Sequence, residues 1–173
     1  MILGLSISAF TTLHVVITLI AIASGFVVMF GMLGSHRLKG WTAIFWLMTV
    51  LTSVTGFLFP LGGFTPALGT GVVATVVFVI GLVALYGKHL TGSWRWIYAV
   101  TAVISLYLNV FVLIVQSFEK VGLINPRAPQ FGPPFSEPQN TQFAIAQGVA
   151  LLFFVAMGIV AAIKFRPAAQ APL

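Results

Sequence analysis

Asp and Cys are absent from this 173-residue chain, and its only acids are Glu119 and Glu137. Without cysteine there is no disulfide, no thiolate metal site and no thiol nucleophile. Without Asp, and with both Glu in one connector, no Ser-His-acid set, metalloprotease helix or phosphate loop assembles. The sequence offers no catalytic constellation, so an enzyme is not the expected reading. Charge of either sign is scarce, at 6% of residues against roughly 25% in a soluble domain. With 60% of residues hydrophobic, too little polar surface remains to face water, and lipid is the expected solvent. The formal charge of +6 comes from eight scattered Lys and Arg. They form no basic stripe, which excludes nucleic acid as a partner.

What is present is long apolar runs. The opening MILGLSISAF has no basic stretch before its apolar run, and no small-x-small cleavage site with a charged flank follows a short apolar core. The first run is therefore expected to stay as a helix rather than leave as a signal. A bilayer core of about 30 Å needs about 20 apolar residues in a helix. Five runs meet that length, near Ser6–Met32, Trp41–Phe59, Ala67–Tyr86, Arg95–Phe118 and Thr141–Phe165. They are too long and continuous for barrel strands. The expected fold is all-α, a polytopic membrane helical bundle of five transmembrane helices in one domain over residues 1–173. A Pro-rich outer loop spans 119–140.

Basic residues in short connectors orient such a chain. Arg37 and Lys39, Lys88 and Arg95, and Lys164 and Arg166 fall on one side. Lys120 and Arg127 fall on the other, beside both Glu. The N-terminus is therefore expected outside and the C-terminus in the cytoplasm of a bacterial inner membrane. All four Trp lie toward the cytoplasmic side, where an aromatic belt belongs.

Two connectors echo each other. GSHRLKGW and GKHLTGSW place Gly34 with Gly87, His36 with His89 and Trp41 with Trp94 at one offset of 53 positions. Helices 1–2 and 3–4 then read as a parallel tandem repeat of one helical hairpin.

Polar side chains inside the runs are the functional candidates. His14, Thr52, Asn109 and Gln147 all fall about 9–13 Å from the outer end of their helices. With Thr18 and Gln116 they read in two ways. They line a polar pocket open to the outside, covered by the Pro-rich loop with Phe131 and Phe135, and hold a small molecule, lipid or quinone. Otherwise they are interhelical hydrogen bonds of about 0.6 kcal/mol each. An intramembrane ionisable residue is a functional hypothesis by default, which draws attention to His14. His36 and His89 share one side of the bundle, as two axial ligands of a b-type haem, or of another metal, require.

Leu13–His14, Gly25, SHRLKGW, TSVTGF and KHLTGSWRW resemble a group of small uncharacterised bacterial inner-membrane proteins with HRxxG-type connectors between helices. The resemblance covers helices 1–4 and implies an inner-membrane bundle with no established activity. It also implies a further His near the outer end of helix 3, where this sequence has Ala67 and Leu68. Three function classes follow. The first is a binding or accessory protein, working as a homo-oligomer or docked on a larger membrane complex. The second is a haem or metal redox protein using His36 and His89. The third is an oligomeric channel or transporter.

Overall fold

The computed structural model describes residues 1–60, 66–120 and 137–166. Five helices carry them: α1 Ile7–Leu33, α2 Lys39–Phe57, α3 Pro66–Leu82 continuing as a π-turn over Val83–Gly87, α4 Trp94–Lys120 and α5 Glu137–Lys164. Each is long and apolar enough to cross a membrane. Among the described residues there is no strand, only an isolated bridge between Ile2 and Leu5. The multi-pass helical bundle expected from the apolar runs is the observed fold. The helix bounds shift by up to four residues, and α4 and α5 extend into the 119–140 connector. The rest of that connector, with Phe131 and Phe135, lies outside the described residues.

Local chemistry explains the starts. Ser6 caps α1, its hydroxyl accepting from the Ala9 amide at 3.1 Å, which satisfies one of the orphan donors at a helix start. Pro66 opens α3, where a missing N–H costs nothing. At 27 residues, α1 is about 40 Å long, enough to project beyond the hydrocarbon at its ends.

The helices run alternately up and down. α1 packs on α2, α2 on α3, α3 on α4 and α4 back on α1, closing a four-helix ring. α5 lies outside, against α4 and, less extensively, α1. This threading gathers Arg37, Lys39, Lys88, Arg95, Lys164 and Arg166 at one end, called here the basic end.

Packing in lipid cannot rely on hydrophobic attraction between helices, because lipid tails are as apolar as Leu. Close approach at small residues replaces it. A Cβ on Gly81 would lie 2.5 Å from Trp46 Cη2 and 3.0 Å from Thr101 Oγ1. A Cβ on Gly25 would lie 2.7 Å from Leu106 Cδ1 and 2.9 Å from Phe45 Cε2. So α3 rests on the ring of Trp46, and α1 rests on Phe45 and Leu106. Trp46 is 2% exposed and stacks toward Tyr98 at 6.2 Å, which meets Phe165 at 5.6 Å. Trp46 is thus a core residue, while Trp41 and Trp96, each 47% exposed, keep the place of an aromatic belt.

The two echoing connectors turn differently. After α1, the His36 amide donates to the Gly31 carbonyl at 2.9 Å and Ser35 to Met32 at 3.0 Å. This is a Schellman cap. Its left-handed residue is Ser35, at φ 59, rather than the neighbouring Gly34 at φ −86. After α3, the Lys88 amide reaches back to Val83 at 2.8 Å, and the left-handed residues are His89 and Leu90. Ser35 has a use for its side chain: Oγ accepts from the Arg166 amide at 2.7 Å, fastening the end of α5.

Gly81→Ala should lower Tm in detergent, because overpacking costs about 1–3 kcal/mol, more than the gain in helix propensity of about 1 kcal/mol. Gly148→Ala, whose Cβ would meet nothing within 4 Å, should raise Tm. Shifts of the same sign in both variants would refute the close-packing account. At the connector, Ser35→Ala keeps the left-handed strain and loses the acceptor, at about 1 kcal/mol. Ser35→Gly loses the acceptor but relieves about 1 kcal/mol of strain, so it should unfold near the wild-type temperature. An alanine variant as stable as wild type would show that the Arg166 contact contributes nothing.

Candidate functional site

α1 and α2 are antiparallel neighbours, so a step of four along one matches a step of three back along the other. His14 and Thr18 on α1 therefore meet Thr55 and Thr52 on α2. His14 Nδ1 lies 2.7 Å from Thr55 Oγ1, and Thr18 Oγ1 lies 3.3 Å from Thr52 Oγ1. Both contacts lie toward the end remote from the basic residues.

Counting hydroxyl protons assigns the donors. Thr55 has one, and Oγ1 sits 2.7 Å from the Leu51 carbonyl, which must receive it. Thr55 Oγ1 is then an acceptor for His14, and Nδ1 is the nitrogen that donates to it. In the same way Thr18 gives its proton to the His14 carbonyl at 2.8 Å, which leaves Thr52 as donor to Thr18. The histidine tautomer is thus set by a threonine back-bonded to its own helix.

The imidazole is half-buried. Phe59 meets it edge-on at 5.4 Å and 88°, and Phe10 packs on Phe59 at 5.1 Å. Gly56 lies beneath, where a Cβ would come 3.6 Å from His14 Cε1. The result is an imidazole packed against an aromatic ring inside the apolar part of a helix bundle.

The other polar residues gather elsewhere. Asn109 is buried, and its Nδ2 is 3.5 Å from Thr49 Oγ1, well beyond the usual 2.9–3.0 Å and correspondingly weak. Gln147 donates from Nε2 to the Phe111 carbonyl at 3.1 Å, tying α5 to α4. Its Oε1 is buried without a partner. Gln116 is half-buried and partnered near the end of α4. So His14, Thr18 and Thr52 form one group, while Asn109 and Gln147 sit at separate helix contacts. An open groove of ≈ 230 Å³ lies between α3 and α4, lined by Gly69, Thr70, Val73, Tyr107, Leu108 and Phe111. This is below the roughly 300–1,000 Å³ of drug-sized sites, so it suits a segment of a chain better than an enclosed molecule.

Thr55, Thr49 and Phe59 are partners that the sequence reading left out of the site. Thr49, Thr52 and Thr55 recur at steps of three along α2, a spacing that puts them on one face and that was there to be read. The contribution of Phe59 depends on the chain turning back past α2 and has no sequence signal.

His36 and His89 are both exposed, each in its connector at the basic end. Among the described residues, no group of three or more His, Cys, Asp or Glu is placed to hold a metal ion.

Thr55→Val removes the acceptor and leaves the His14 N–H buried beside a methyl group, at about 1–3 kcal/mol. Asn109→Leu breaks only the long contact and should cost less than about 0.6 kcal/mol. Thermal unfolding of the two variants in one detergent checks the order, and the reverse order would refute the donor assignment. No family model, curated protein or solved structure matches this chain.

Proposed function

We propose that this is a non-catalytic binding protein of the bacterial inner membrane that holds a small amphipathic molecule, a lipid or a quinone, at His14. The observation that carries this reading is the imidazole itself. It is the ionisable side chain within the apolar span of α1, and its protonated nitrogen is committed to Thr55. The ring thereby sets polar nitrogen chemistry at membrane depth, of the kind that recognises a hydroxyl on an otherwise apolar ligand. The partly exposed ring of Phe59, backed by the buried Phe10, favours a flat or chain-like apolar body beside it. Ordinary interhelical glue does not need an imidazole, since Thr–Thr contacts of the kind at Thr18 and Thr52 serve.

The orientation follows from charge. Six of the eight Lys and Arg gather at one end, which supports a cytoplasmic basic end and an external N-terminus. His14 then opens toward the outer leaflet. The closed ring of two hairpins, with α1 on α4 and α2 on α3, supports the tandem-repeat reading, in which the connectors have since diverged in their turns.

Native mass spectrometry of the full chain, purified in mild detergent, is expected to show a retained small molecule that His14→Phe releases while the helix content is unchanged. A preparation without adduct, in which His14→Phe alters only Tm, would leave His14 as a structural contact and end the proposal. The visible spectrum of the same preparation tests the haem alternative. A Soret band lost in both His36→Ala and His89→Ala would replace this reading with the redox one.

A further inference from the structure

The end opposite His14 carries a second, unrelated arrangement. Three arginines are brought to one junction where α5 closes onto the bundle. Arg95, at the start of α4, donates from Nη1 to the Phe165 carbonyl. Arg166 follows directly and donates its amide to Ser35, two residues before Arg37. Tyr98, one helical turn from Arg95, packs on Phe165. The Phe165 carbonyl and the Ser35 hydroxyl thus tie Arg95 and Arg166 to the connector that carries Arg37.

Among the described residues, no acid stands at this end to balance them. Both acids, Glu119 and Glu137, lie at the opposite end of their helices. The Phe165 carbonyl accounts for one of the five donors of Arg95, and the dipole at the end of α5 offsets only about half a charge. Arg37 has its Nε buried with no partner, which holds its guanidinium against the protein. The side chain of Arg166 is exposed. Like charges held together in this way call for an anion, and forked guanidinium groups suit phosphate oxygens.

Position selects the source of that phosphate. The cluster lies at the ends of membrane-spanning helices, level with the exposed Trp41 and Trp96, the residues that mark a headgroup zone. Lys88 sits over the Trp94 ring at 5.6 Å, so its ammonium is already engaged to one side. We infer that Arg37, Arg95 and Arg166 form a binding site for the phosphate of an anionic phospholipid, which seals the junction of α5 with the α1–α2 connector. This does not depend on the ligand proposed at His14.

The test uses the full chain in mild detergent with equal amounts of phosphatidylglycerol and phosphatidylcholine, followed by native mass spectrometry. Wild type should retain phosphatidylglycerol preferentially, a readout that needs no variant. Arg37→Gln and Arg166→Gln should each reduce that retention about fivefold, and Lys88→Gln by less than about twofold. Equal retention of the two lipids would overturn the site. Equal losses in all three variants would mean diffuse charge attraction and would overturn it too. Displacement of the lipid by millimolar inorganic phosphate would reassign the cluster to a soluble anion.

Discussion

Trp46 brings Cη2 and Cζ2 against the bare backbone of Gly81 and packs tilted against Tyr98, and the four-helix ring is built on that contact. In hydrocarbon the helices gain nothing by hiding apolar side chains from lipid. What draws them together is van der Waals contact closer than lipid tails can achieve, and that needs a missing side chain facing a rigid plate. Gly81 and Trp46 supply the pair between α3 and α2, and Gly25 with Phe45 supplies it between α1 and α2. The aromatic column continues through Tyr98 to Phe165, which makes the end of α5 part of the same core although most of that helix faces outward. The two ends of the bundle differ because this column occupies one of them.

Toward the other end the ring holds polar contacts instead. There the constraint is the number of hydroxyl protons. Each threonine has one, and Thr18 and Thr55 give theirs to a carbonyl of their own helix. The hydroxyl oxygens become acceptors, and that fixes which nitrogen of His14 carries hydrogen. A residue type usually regarded as neutral filler in a membrane helix thereby sets the chemistry of the neighbouring imidazole. Asn109 contributes little for a different reason: the hydroxyl oxygen it donates to lies at the limit of hydrogen-bond range.

The basic end shows how one connection can serve two purposes. Ser35 occupies a left-handed position that favours glycine, and its hydroxyl fastens the amide of Arg166. That contact, with Arg95 on the Phe165 carbonyl, brings α5 over the first connector. It also brings Arg95 and Arg166 to the connector that carries Arg37, with no acid at that end among the described residues. Charge that looks scattered along the chain becomes concentrated once the helices are threaded.

Composition and run length were enough to determine the solvent, the number of spans and their alternation, because a backbone in hydrocarbon must close its own hydrogen bonds and only long helices here can do so. The pairing of positions at similar depth was legible too, since rise per residue is constant. His14 with Thr18 and Thr52 was found in this way. Which side each polar group faces was not legible, because depth says nothing about rotation about the helix axis. Only the tertiary structure separated Asn109 from His14, brought Thr55 into the site, and took Trp46 out of the belt and into the core. Those outcomes depend on where neighbouring helices lack a side chain, a property of two surfaces in contact rather than of either sequence segment alone.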